Sequence, residues 1–94
     1  MQVAKVIGNI WATRKDENLG GLKLLLVKPF DILDETVDKS PLVAADTIGA
    51  GVGETVIIVG GSSARGAAGG NSIPVDATVV GIVDDLEIDR SVLN

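Results

Sequence analysis

The 94-residue chain sets eight Lys and Arg against thirteen Asp and Glu, a formal charge of −5, and contains neither Cys nor His. Disulfides, thiolate nucleophiles, imidazole bases and the usual zinc sites are therefore excluded, and the net charge has the wrong sign for gripping nucleic-acid phosphates. One Trp, one Phe and no Tyr leave no platform for stacking bases, whereas 46% hydrophobic residues predict a folded chain with an aliphatic core.

The length predicts one domain, residues 1–94. The opening Met1-Gln2-Val3-Ala4-Lys5 lacks the long apolar core of a signal peptide, and no apolar run reaches membrane-spanning length. A cytoplasmic chain with no membrane partner is expected.

Residues 3–13 read as the first strand. Ala4, Val6, Gly8, Ile10 and Ala12 form a small, apolar face, and Val3, Lys5, Ile7, Asn9 and Trp11 form a mixed one. Gly8 inside the strand predicts a bend or a close backbone approach. Arg14 to Asn18 with Gly20-Gly21 is a turn region. A second strand, Leu22 to Lys28, is limited by Pro29, and Asp31 to Pro41 is an acidic loop. A third strand follows at Leu42 to Ala45, then the glycine-rich Gly49 to Gly53, then a fourth strand at Thr55 to Val59. Ser62 or Ser63 is expected to cap one helical turn over Ala64 to Ala68, ended by Gly69-Gly70-Asn71. The last strand runs from Ala77 to about Leu86 with Gly81 at its centre.

Five short strands, with one helical turn before the last, predict a small all-β, closed or partly closed antiparallel barrel. The central strands are apolar on both faces: Leu24 with Leu25, Val56 with Ile57, Val79 with Val80, Ile82 with Val83. A chain this short has little else to cover an outer apolar layer, and each buried Val or Leu contributes about 1.5–3 kcal/mol. The pattern therefore predicts an obligate oligomer whose outer strand faces pack on neighbouring copies.

Chemistry has few candidates. Gly49, Gly51 and Gly53 have the glycine density of a dinucleotide loop, but the spacing fails G-x-G-x-x-G and a strand follows instead of a helix. Gly61-Ser62-Ser63-Ala64-Arg65 could hold an anion at a helix N-terminus, yet it lacks the Lys-Ser/Thr of a P-loop. The alternative for this loop is a tight corner of small residues, with Arg65 pairing a carboxylate. The clusters Asp31, Asp34, Glu35, Asp38 and Asp84, Asp85, Glu87, Asp89 lack calcium-loop spacing and read as solvated surface. Asp76 and Asp84 have no orienting partner in the sequence for hydrolytic chemistry. Trp11 reads as an interface or core anchor.

These segments together resemble the EutN/CcmL family of bacterial microcompartment vertex proteins. The resemblance is carried by Val3 to Gly8, by Thr13-Arg14-Lys15, by Leu19 to Val27, by Ala44 to Glu54, by Gly61 to Arg65 and by Pro74 to Asp84. Asp31 to Pro41, Gly66 to Ser72 and everything after Leu86 depart from it. The resemblance implies a five-stranded OB-like barrel and a homopentamer that caps five-fold vertices of a carboxysome-like organelle among hexameric shell proteins. It implies no catalytic residue, cofactor or metal. On this reading Gly49, Gly51, Gly53, Gly61, Ser62, Ser63, Ala64 and Arg65 are expected at inter-subunit or axial positions. The alternative is a small anion-binding module using the Gly-Ser-Ser-Ala-Arg loop.

Overall fold

Alternating apolar residues in the chain close into a barrel with strand order β1-β2-β3-β5-β4. The computed structural model describes residues 1–12 and 15–93. Its strands are β1 (Gln2–Ile10), β2 (Lys23–Pro29), β3 (Leu42–Asp46), β4 (Thr55–Gly60) and β5 (Ala77–Val83). One helix, α1 (Gly61–Ala68), bridges β4 and β5, and short 3-10 turns lie at Glu17–Leu19 and Arg90–Val92. The barrel closes through the short β3–β5 contact, so Leu42–Ala44 of β3 and Val80–Val83 of β5 keep an unpaired edge at that seam.

The predicted five-stranded barrel with a single helical element before the last strand is what the chain forms. Four of its strand pairs are antiparallel, and the fifth, β3 with β5, is a short parallel contact at Ala45–Thr78 and Asp46–Val79. A parallel pair needs a crossover, and the loop from Gly49 together with β4 and α1 supplies it. The first strand stops at Ile10, so of its expected extension Trp11 and Ala12 fall in loop; Thr13 lies outside the described residues. The last strand ends at Val83, short of Leu86, where consecutive acidic residues replace the apolar alternation.

The interior is small and aliphatic: Ala4, Val6, Leu25, Val27, Ala44, Ala50, Val56, Ile58, Ala77 and Val79. Two register slips decide what faces outward. Val6 sits opposite Val27 but Gly8 sits opposite Leu26, so Ile7 is an extra residue in β1. Directly opposed residues share a face of the sheet. Beyond the slip, Gly8 and Ile10 therefore join Leu26 and Leu24 outside the barrel, and the face predicted to run unbroken from Ala4 to Ala12 changes sides. In β5 the slip leaves Val80 unpaired between Val79, opposite Ile58, and Gly81, opposite Ile57. Such bulges tighten strand curvature, which a narrow five-stranded barrel requires.

The helix α1 lies against β4 and β5 through Ala64 and Ala68, one turn apart on the same face. Its place is fixed by Thr78, whose buried hydroxyl donates to the Ala64 carbonyl at 2.7 Å. The helix begins earlier than predicted. Its N-cap is Gly60, which has no side chain to cap with, so Ser62 and Ser63 are first-turn residues and not caps. Gly69 ends it at φ +135°, with the amides of Gly69 and Gly70 donating to the Arg65 carbonyl at 3.1 and 2.9 Å.

Candidate assembly surfaces

The glycine-rich segment after β3 is a loop built around one carboxylate. Asp46, only 4% exposed, accepts hydrogen bonds from the amides of Ile48 (2.9 Å), Gly49 (3.1 Å) and Ala50 (2.8 Å). An Asp that ends a strand and gathers the next amides is a local turn device. Glu54 accepts from the Gly51 amide at 2.7 Å, and Lys23 donates to the Ala50 carbonyl at 2.7 Å. The far end of the loop extends the barrel ladder, with Gly53 N–H donating to the Val6 carbonyl and Val6 N–H to the Glu54 carbonyl, both at 2.9 Å. Gly49 and Gly53 hold φ of +104° and +94°, the left-handed region that favours glycine. The loop buries Ala50 completely and holds Ile48 and Val52 outward, 51% and 58% exposed.

The structure separates the two glycine-rich segments. Gly49, Gly51 and Gly53 precede the start of β4, whereas Gly61, Ser62, Ser63, Ala64 and Arg65 follow its end. Six residues of extended strand lie between them, about 20 Å. They do not form one site. In the second segment Ala64 is buried against the barrel, Arg65 is half-buried in the last helical turn, and Ser62 and Ser63 are exposed. A helix-terminal anion site gathers donors and positive charge at its first turn. Here the lone cation of the segment sits at the other end of the helix.

The outer barrel surface is apolar on two different sides. On one side the cross-strand rows Ile10–Leu24–Ala45 and Gly8–Leu26–Val43 run across β1, β2 and β3. They adjoin two grooves. One, of about 590 Å³, is lined by Ile10, Trp11, Leu22 and Leu24 with Lys15 and Lys23; the other, of about 210 Å³, lies between Leu24, Val43 and the Pro74–Ala77 segment. On the other side the row Val3–Ile57–Gly81 crosses β1, β4 and β5. Phe30, Ile32 and Met1 extend this row around a groove of about 380 Å³. The Ile57 Cδ1 lies 3.8 Å from where a Cβ on residue 81 would sit, so Ile57 packs against Gly81. The sequence signals two-sided strands, but not these rows, because the slips at Ile7 and Val80 cannot be read from alternation.

The acidic clusters are solvated turns. Asp31 accepts from the amides of Leu33 and Asp34, and Asp34 accepts from the amide and hydroxyl of Thr36. The Thr36 hydroxyl bond, and then its amide bond, hold the Asp34 carboxyl below the usual carboxylate range. Ser91 does the same for Asp89. Among the described residues no group of His, Cys, Asp or Glu is arranged to hold a metal ion, and no helix is long and apolar enough to cross a membrane.

The profile described as "Ethanolamine utilisation protein EutN/carboxysome" matches residues 1–84. The chain belongs to the EutN/CcmL family. The carboxysome shell vertex protein CcmL of Synechocystis is 43% identical over 94% of this chain and 87% of its own length. The bacterial microcompartment shell vertex protein GrpN of Rhodospirillum rubrum is 47% identical over 93% of this chain and 97% of its own. The solved structure of GrpN, described as a pentameric microcompartment shell protein, superposes with a TM-score of 0.82 at 45% identity, covering 95% of this chain and all of that one. CcmL of Gloeobacter violaceus gives 0.85 at 38% identity, with 95% and 91% covered. The EutN/CcmL members named here are structural shell proteins, not enzymes. The match ends at residue 84, one residue past β5, so the family profile stops where the barrel does.

Proposed function

We propose that this chain is a one-domain vertex subunit of a bacterial microcompartment shell: five copies form a ring that plugs the five-fold corners left by hexameric shell tiles. The observation that carries the reading is the pair of unlike apolar faces on a closed barrel. A two-fold dimer uses one patch twice, whereas a cyclic ring needs two different patches, one meeting the other on the next copy. The β1-β2-β3 face and the β1-β4-β5 face are such a pair. The number five follows the pentameric description of GrpN, whose subunit superposes on this one.

The ring acts by shape, in the shell of a cytoplasmic organelle, with no catalytic step. Five copies at −5 each give −25, which keeps free rings apart and soluble. The same charge opposes binding to nucleic acid. Native mass measurement tests the reading. A species of five subunits is expected, and a stable monomer at micromolar concentration would overturn it.

A further inference from the structure

Residues 85–93 run on from the barrel: Asp85 and Leu86 still line a groove with Val3, Phe30 and Thr55, Ile88 is half-buried, and the rest of the segment is exposed. Among the described residues, their side-chain and amide hydrogen bonds are local: Leu86 amide to Asp85, Ser91 to Asp89, Val92 amide to the Asp89 carbonyl, Leu93 amide to the Arg90 carbonyl. The segment nevertheless carries apolar side chains in a regular order. Leu86 and Ile88 alternate with Asp85, Glu87 and Asp89, and Val92 and Leu93 come next, 75% and 50% exposed. The molecule measures 49 × 23 × 22 Å with a radius of gyration of 14.3 Å, whereas a compact chain of this length has about 12 Å. The family profile ends at residue 84, so the shared barrel does not account for residues 85–93.

The same chain displays a groove of complementary character. At the far end of the β1–β2 hairpin, about 590 Å³ of open space is lined by Ile10, Trp11, Leu22 and Leu24, with Lys15 and Lys23 beside them. Trp11 is 86% exposed, an unusual position for the sole indole of a chain. Lys23 gives one hydrogen to the Ala50 carbonyl and keeps two more donors. The projecting segment brings three carboxylates, Asp85, Glu87 and Asp89, against one Arg90.

From the projecting segment and the groove, and resting on the ring reading above, we propose that residues 85–93 form an arm that docks in the Trp11 groove of a neighbouring copy. Ile88, Val92 and Leu93 cover Trp11, Leu22 and Leu24, while Glu87 and Asp89 face Lys15 and Lys23. The occupant is a second copy because arm and groove are both present once per chain and differ from one another. That makes a head-to-tail contact which a closed ring satisfies on every subunit. Trp supplies the anchor, as buried aromatic residues do at interfaces.

The absence of native Cys makes the test clean. An Ala12→Cys variant is mixed with a Val92→Cys variant and oxidised with copper phenanthroline. Disulfide-linked dimers are expected on a denaturing gel. Their absence from a mixture that forms five-subunit particles by native mass overturns the arm, as does an intramolecular disulfide in the double variant. A chain ended after Leu86 is expected to dissociate at concentrations at least tenfold higher than the full chain, with Trp11 emission shifted to the red. Equal dissociation and unchanged emission also overturn the arm. Glu87→Lys is expected to weaken the ring, and Lys15→Glu added to it to restore most of the loss; failure of this exchange counts against the charge pairing and the docking register it defines. Loss of five-subunit particles by the unaltered full chain is a separate outcome, and it refutes the ring itself.

Discussion

The Ala50 amide donates a 2.8 Å hydrogen bond to the Asp46 carboxylate, and both residues are buried where β3 turns into the glycine loop. The amides of Ile48 and Gly49 reach the same carboxylate, so one side chain organises the turn that presents Ile48 and Val52. Asp46→Ala leaves the buried Ala50 donor without a partner. Hydrogen bonds to a charged group are worth about 1.5–3 kcal/mol, and a buried unpaired donor costs about 1–3 kcal/mol. A loss of about 2–3 kcal/mol is expected, with the thermal midpoint falling about 4–8 °C for each kcal/mol. Asp46→Asn keeps an acceptor but turns an N–H₂ toward the amides, and should fall between. Thermal unfolding followed by circular dichroism measures both; a loss under about 0.5 kcal/mol for the alanine variant would show the carboxylate to be incidental.

Leu25 and Leu26 are adjacent in sequence and lie on opposite sides of β2, which separates folding from assembly. Leu25 is fully buried in the barrel interior, and Leu25→Ala is expected to destabilise each subunit by about 2–5 kcal/mol. Leu26 faces outward beside Val43. Leu26→Asp is expected to leave the β circular-dichroism signal intact and abolish the five-subunit species. A ring that survives Leu26→Asp would remove the β1-β2-β3 face from the interface.

Much of the fold is legible from alternation and turn chemistry. The five strands and the helical element before the last can be read in order, because Val, Ile and Leu alternate between Gly and Asp clusters. Three features are not legible. The slips at Ile7 and Val80 come from the curvature of a narrow barrel, which no single strand encodes. The helix begins at Gly61 because Thr78 and the small Ala64 hold it close to the sheet, a long-range contact that overrides the preference of Ser62 or Ser63 for a cap. The role of Asp46 is hidden beside the more conspicuous glycines, although an Asp followed by Thr-Ile-Gly-Ala-Gly is the kind of sequence in which a carboxylate collects successive amides.

Two substitutions on α1 separate backbone strain from contact with neighbouring copies. Gly61 holds φ +60°, and although a built Cβ there meets nothing within 4 Å, any larger residue is strained by about 1–2 kcal/mol. Gly61→Trp therefore perturbs the start of α1 as well as any neighbour. Ser63 is exposed in ordinary helical conformation, so Ser63→Trp adds bulk without that strain. If α1 faces other copies, Ser63→Trp is expected to prevent five-fold rings in electron micrographs while thermal stability stays within about 0.5 kcal/mol of the parent. Normal rings would place α1 away from the contacts.

Thr36 and Ser91 each hold a nearby carboxyl below its usual range, chiefly through a hydroxyl hydrogen bond and then an amide one. A lowered carboxylate favours the folded state above the unfolded pKa, and its contribution disappears as pH falls through the lower folded value. Both turns are therefore at full strength at neutral pH and loosen only in acid. Thr36→Val removes the hydroxyl donor to Asp34 and should raise the Asp34 midpoint toward the ordinary value; Ser91→Ala should do the same for Asp89. Carboxyl-carbon NMR titration reads each site separately. The Asp34 turn is exposed, solvent screens its interaction, and Thr36→Val is expected to leave the thermal midpoint of the barrel at neutral pH unmoved. A fall in that midpoint on Ser91→Ala would mean that the Asp89 turn is tied to the barrel or to a neighbouring copy, since a turn held only by its own hydrogen bonds has no other route to global stability.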